Sequence, residues 1–166
     1  MTETLKTSCT WSLYGFFLYL TWGCSTQNLQ RYENAWKIYK NYRYGFEFPY
    51  PSNWQEMRPV NGDGIIFISP TKNSVKIIAW AGNQLFSHTN RDRNTRISTN
   101  PNFKNVQGIS GVMTIETGVT ESIITLKFAR NQIKYYWQGK APSQEFDDYY
   151  RFFHYIAQNY RLSEDR

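Results

Sequence analysis

The chain has 166 residues, a formal charge of +6 from 19 Lys and Arg against 13 Asp and Glu, and an aromatic share of 18%. That length suits one core of about 100 to 150 residues, and a hydrophobic fraction of 40% carried largely by big aromatic side chains excludes a disordered chain. The basic surplus suits an anionic partner, whether acidic protein, nucleic acid or lipid, and equally a solvated surface; the cations are dispersed, with Arg91, Arg93 and Arg96 the one tight group.

Residues 1–23 read as a signal peptide of the lipoprotein type. Lys6 supplies a thin basic region, and the apolar run 11–22 is too short for a bilayer that needs about 20 residues. Gly23-Cys24 followed by Ser25 resembles a lipoprotein cleavage site, at which Cys24 becomes the lipidated first residue. Thr21 and Trp22 stand where such sites carry Leu and a small residue, with Leu20 one place early. Ordinary secretion, an uncleaved anchor and a wrongly assigned start are the alternatives. Cys9 and Cys24 are the only cysteines, so cleavage leaves no pair for a disulfide or a thiolate metal site. Residues 24–40 read as a polar tether, in which Trp36 and Tyr39 at i, i+3 favour one helical turn over an entry strand.

The domain is expected over 41–162, with 163–166 as a tail. Its opening strand, 42–48, alternates Tyr44, Phe46 and Phe48 with Gly45 and Glu47, and Pro49 and Pro51 should stop it. A short strand at 54–57 is followed by Asn61-Gly62-Asp63-Gly64, a hairpin turn by its positive-φ residues. Strands follow at 65–69 and 75–81, the second apolar on both faces and therefore central. Residues 83–106 are polar and without periodicity, which predicts a long loop of the kind that often carries a binding surface. A meander at 108–117, 121–130 and 133–138 turns on Asn131-Gln132. The last element is an amphipathic helix over 143–162, with Phe146, Tyr149, Tyr150, Phe153, Ile156, Ala157 and Tyr160 as its stripe, Ser143 as N-cap and Arg161 at its end. The fold class is thus α+β: an antiparallel sheet of six or seven strands with a long C-terminal helix packed on it.

The aromatic strand ending in Tyr50-Pro51 and Trp54, followed by Asn61-Gly62-Asp63-Gly64, Phe67 and Pro70, resembles the N-terminal signature of the PsbP-like family. That resemblance covers about residues 41–162. It implies an α/β/α sandwich shared with a Ran-binding nuclear import factor, a binding or assembly role without catalysis, and a likeness to bacterial lipoprotein-type members that agrees with Cys24. Some photosystem members of the family bind metal through histidines, but no such motif is matched here.

Reactive groups are sparse. His88 lies four residues from Asp92, and His154 has Tyr150 and Gln158 at its i±4 positions, so neither completes the three or four protein ligands that zinc normally takes. There is no Gly-x-Ser-x-Gly elbow and no phosphate loop. Asp63 with Glu56 is a formal carboxylate pair, better explained by a solvated hairpin tip. Tyr135, Tyr136 and Trp137 offer stacking faces for a nucleic acid, yet strand alternation must turn one set of them inward and the closing helix needs aromatic partners, and no nucleic acid is expected. The expectation is a non-catalytic, membrane-tethered binding or assembly module of a bacterial envelope or thylakoid lumen, without metal or cofactor. Cys24 is its lipid anchor, and Arg91, Arg93 and Arg96 are its candidate contact with an acidic protein or anionic lipid. The alternative is a soluble intracellular protein-binding domain with a wrongly assigned start.

Overall fold

The structure, a computed structural model, describes residues 35–82 and 95–163. The described strands form two antiparallel sheets. The larger has seven strands in the order β3 (Gln55–Met57), β4 (Gly64–Ile68), β5 (Lys76–Gly82), β9 (Ile133–Pro142), β8 (Glu121–Arg130), β7 (Ser110–Thr117) and β6 (Arg96–Lys104). The smaller places β2 (Phe46–Pro51) between β1 (Trp36–Asn41) and β10 (Arg161–Leu162). Among the described residues one α-helix, α1 (Phe146–Gln158), follows a 3₁₀ turn at Ser143–Glu145. A seven-stranded antiparallel sheet carrying the C-terminal helix is the expected fold class; the separate three-stranded sheet is an addition that the sequence pattern did not suggest.

Alternation sets the faces. Along β9, Tyr135, Trp137 and Ala141 share one face with Gly139, opposite Phe128, Leu126, Ser122 and Ile124 of β8. Ile77 and Ala79 of β5, with Ile65 and Phe67 of β4, continue this buried layer. The small sheet meets it through Phe46, which stands edge-on to Tyr135 at 6.3 Å, and Phe48, edge-on to Phe67 at 6.1 Å. The turn joining β8 to β9 is the two-residue one expected, because Asn131 and Gln132 both take positive φ, 49° and 65°.

The prolines of β2 lie inside the strand rather than ending it. Ser52 N–H donates to Ala35 O at 2.9 Å, which fixes the parity of the β1–β2 ladder. Phe46, Phe48 and Tyr50 then exchange bonds with β1, whereas Pro49 and Pro51 turn their missing donors to the other edge. There β10 covers only Phe46 and Glu47. The strand therefore starts later and ends later than expected, with 42–45 a turn. Its partner β1 occupies Trp36 to Asn41, so the fold begins within the stretch read as a tether. Trp36 is a strand residue and packs on α1, 5.7 Å from Phe152 and 5.3 Å from Tyr155.

Two further expectations are corrected. The polar stretch read as a loop over 83–106 contains β6, a nine-residue strand of which seven residues pair with β7. It carries no alternation because Phe103 is its only buried residue, and its register shifts between Asn100 and Phe103, around Pro101. The helix also stops early. It ends at Gln158 because Asn159 competes for the last turn, its side chain and its backbone N–H both donating to Tyr155 O. Its length is therefore about 20 Å at 1.5 Å per residue rather than the expected 30 Å. Ser143 does not cap it; the hydroxyl instead donates to Gly118 O at 2.8 Å and pairs with Ser122. Arg161 lies beyond it, in β10.

Helix and sheet are in close contact where Phe153 lies over Gly139, and a Cβ built on that glycine would fall among the ring atoms. Gly139→Ala should therefore destabilise the domain by about 1 to 3 kcal/mol. Urea unfolding checks this, and Phe153→Leu in the same chain should recover part of the loss, a coupling that a simple strand-propensity effect would not show.

Tyr160 is fully buried between the sheets, and its hydroxyl has no protein partner. Burial pushes its pKa well above the usual phenol value, with Tyr135 and Tyr39 adding to the effect. Because the folded state holds this proton more tightly, the stability is complete below the unfolded pKa of about 10 and falls as pH rises beyond it. Tyr160→Phe should leave neutral-pH stability equal or higher and flatten that alkaline decline, as followed by thermal unfolding across the alkaline range.

Candidate functional site: a basic cleft at the turn end

At one end of the two sheets the turn 42–45, the β8–β9 turn, Gln107 and β10 enclose a cleft of about 690 Å³. Buried Phe46, Tyr135 and Leu162 line its inner side, with half-buried Ile133. Its charged lining consists of Lys40, Arg43, Arg130 and Arg161 against one carboxylate, Glu47.

Asn41 builds the first wall. Its side-chain oxygen accepts from the backbone N–H groups of Arg43 (3.1 Å) and Tyr44 (3.0 Å), while its carbonyl accepts from Gly45 N–H at 2.9 Å. Gly45 takes φ +65°, a conformation open to glycine at little cost. Arg43 then reaches the neighbouring β3–β4 loop, donating to Asn61 O at 2.9 Å and pairing with Asp63 at 2.7 Å. Tyr44 donates its hydroxyl to the same carboxylate at 3.1 Å, and Tyr135 donates to Tyr44 O at 3.2 Å. The turn is thereby tied to both sheets.

The opposite wall is the end of the described chain. Gln107 treats Leu162 as a strand partner: its side-chain N–H donates to Leu162 O at 2.9 Å, and its side-chain oxygen accepts from Leu162 N–H at 2.8 Å. Asn105 donates to Tyr160 O at 2.9 Å. Ser163 donates from its backbone (2.7 Å) and its hydroxyl (2.8 Å) to Gly45 O, and Arg130 donates to Ser163 O at 3.2 Å. A two-residue strand is held from both sides, and Arg161 is carried on it.

Lys40 pairs with Glu47 at 3.2 Å, but both are solvent-accessible, so the pair is worth about 0 to 1 kcal/mol and exchanges readily with an incoming anion. Arg161 is exposed and makes no ion pair among the described residues. Lys40 and Arg43 are thus paired with Glu47 and Asp63, Arg130 is engaged with Ser163, and the cleft presents Arg161 as an exposed cation next to an apolar inner side. Such an arrangement binds anions, since arginine forks match carboxylate and phosphate geometry. Among the described residues no three His, Cys, Asp or Glu gather as a metal site would require.

The residues singled out from sequence fall elsewhere. Cys24, His88, Arg91, Asp92 and Arg93 lie outside the described residues. Arg96 is exposed at the start of β6 opposite Thr117, at the far end of the sheet from the cleft. His154 is a packing residue, its ring edge-on to Phe103 at 6.0 Å and 5.7 Å from Tyr150. Asp63 is not a solvated tip but the acceptor of Arg43 and Tyr44, and Glu56 is paired with Arg58. Tyr135, Tyr136 and Trp137 are all buried and present no stacking face. Reading by local groups missed Lys40, Arg43, Arg130 and Arg161, which are distant in sequence; their one shared signal is that each lies at or near a strand end.

No protein-family model matches the chain, and no curated protein matches it by sequence. Its architecture is similar to the solution structure of cyanobacterial PsbP (CyanoP) from Synechocystis sp. PCC 6803, with a TM-score of 0.59 at 8% identity over 78% of this chain and 94% of that one. The fold is PsbP-like. The likeness therefore bears out the family resemblance read from the aromatic strand, as a statement of fold.

The cleft depends on the contact of Ser163 with Gly45. A Cβ on Gly45 would meet the Ser163 hydroxyl and would also sit at positive φ, so Gly45→Ala should cost about 1 to 2 kcal/mol. It should also free the chain end, read as faster proteolytic trimming after Tyr160, whereas Gly62→Ala, with open space around its Cβ position, should leave trimming unchanged.

Proposed function

We propose that this chain is a non-catalytic binding or assembly module, held at a membrane by a lipid on Cys24, facing the periplasm or thylakoid lumen, and engaging an anionic partner through the basic cleft. The observation that carries this reading is the cleft itself: Lys40, Arg43, Arg130 and Arg161 against the single carboxylate Glu47, around an apolar inner side. The PsbP-like fold supports a binding role by resemblance, and the lipoprotein-like Gly23-Cys24 supports the anchor. Arg91 and Arg93, with Arg96, form a second candidate surface, separate from the cleft at least through Arg96.

Two measurements test it. Cells fed radiolabelled palmitate should label the wild-type chain and not Cys24→Ala, which should leave the membrane fraction. Absence of label with unchanged fractionation would overturn the lipoprotein reading. In affinity capture from membranes, Arg161→Glu should reduce partner recovery about tenfold or more, as like-charge juxtaposition costs several kcal/mol. The Arg91, Arg93 and Arg96 triple alanine variant should retain recovery; the reverse order would move the site to that arginine group.

A further inference from the structure

We propose that the partner of the cleft is the bilayer itself: the turn end docks on an anionic membrane surface, headgroup phosphates meeting the cleft cations while Tyr42 and Val60 enter the headgroup boundary. This rests on the reading above, that the cleft takes an anion, and names the anion's source.

Tyr42 and Val60 are the two most exposed large hydrophobic residues described, at 90% and 108% of their reference areas. They sit on adjacent loops at the same end of the molecule. Asn41 and Arg43 tie those loops together through Gly62 O (3.3 Å), Asn61 O (2.9 Å) and Asp63 (2.7 Å), so the tips are held out rather than collapsed on the core. Nothing in the fold requires an apolar side chain at either position. A tyrosine and a valine at the summit of a cationic end suit the water–lipid boundary, where an amphipathic ring is favoured and each nearby Lys or Arg adds about 1 kcal/mol over an anionic leaflet.

An acidic peptide would fill the cleft, but it would leave the protruding tips without a counterpart. A planar, deformable surface contacts cleft rim and tips together. No helix among the described residues is long and apolar enough to cross a membrane, so this is a surface contact. It would act beside the lipid proposed on Cys24 as a second contact with the bilayer. The chain allows both at once: eleven residues lie between Cys24 and Trp36, a reach of up to about 40 Å, against about 20 Å for the length of β1.

The experiment is co-sedimentation of the full chain carrying Cys24→Ala, so that no lipid is attached, with phosphatidylcholine vesicles with and without phosphatidylglycerol. The expected result is preferential partitioning to the phosphatidylglycerol vesicles, lost as salt shortens the range of exposed charges. Arg161→Gln should weaken that preference about fivefold, and Tyr42→Ser with Val60→Ser should weaken binding at all salt concentrations. Arg151→Gln, the same charge change on the exposed face of α1, should do neither. Equal loss with Arg151→Gln, or no difference between the two vesicles, would overturn the proposal. If the chain ignores both vesicles but binds a polyglutamate peptide in a manner abolished by Arg161→Gln, the bilayer is excluded while the anion-binding reading of the cleft stands. If it binds neither, both fall. Circular dichroism of each variant excludes unfolding as the cause.

Discussion

Tyr160 holds this fold together. Its ring stacks on Phe46 at 5.5 Å and on Phe48 at 5.8 Å, and packs on Phe128 at 5.6 Å, so it touches both sheets and reinforces the direct Phe46–Tyr135 and Phe48–Phe67 contacts between them. It is also where the chain leaves the helix. Burying this ring between Phe46, Phe48 and Phe128 fixes the direction of the next two residues, and Arg161 and Leu162 can only continue along the free edge of β2. Aromatic pairs of this kind contribute about 0.5 to 1.5 kcal/mol each beyond the area they bury. The unpartnered hydroxyl is the cost of using tyrosine there.

The cleft is a consequence of that placement. Once β10 lies beside β2, polar side chains do the remaining work: Gln107 supplies the hydrogen bonds that a neighbouring strand would, and Asn105 and Arg130 take the adjacent carbonyls of Tyr160 and Ser163. The cations are thereby mounted on fixed backbone rather than on a loose tail. Binding by such a site loses less side-chain and loop freedom, which favours affinity without new contacts. The other wall is fixed in the same way, by Asn41, Gly45 and Tyr44. Two turns and one chain end, each stabilised by its own side-chain hydrogen bonds, meet around one space.

Much of the architecture was legible in the sequence because it follows from local periodicity. Ile124, Leu126 and Phe128 declare a buried face of β8 by alternation alone, Asn131-Gln132 declares its turn, and the stripe from Phe146 to Ala157 declares the helix. What was not legible depends on contacts between distant residues. Tyr160 continues the helical stripe, yet Asn105 and Gln107, at a separation of 55 positions, draw the chain into β10 instead. β6 hides because an edge strand exposed on both faces has no alternation to show. Pro49 and Pro51 read as a stop until the parity of the ladder shows which edge they face. The site was legible least of all, since Lys40, Arg43, Arg130 and Arg161 become neighbours only through the topology, whereas the arginine group visible in the sequence places Arg96 at the other end.

The claim on which the rest turns is that β10 is a true strand, docked between β2 and Gln107, and not a frayed end of the helix. Amide hydrogen exchange at Leu162 and Ser163 measures it directly, because their N–H groups donate to the Gln107 side chain and to Gly45 O. Protection within the range of the β2 amides is the expected result, with loss at Leu162 in Gln107→Ala. Exchange at free-chain rates for both amides in the wild-type chain would contradict it and would remove the wall that carries Arg161.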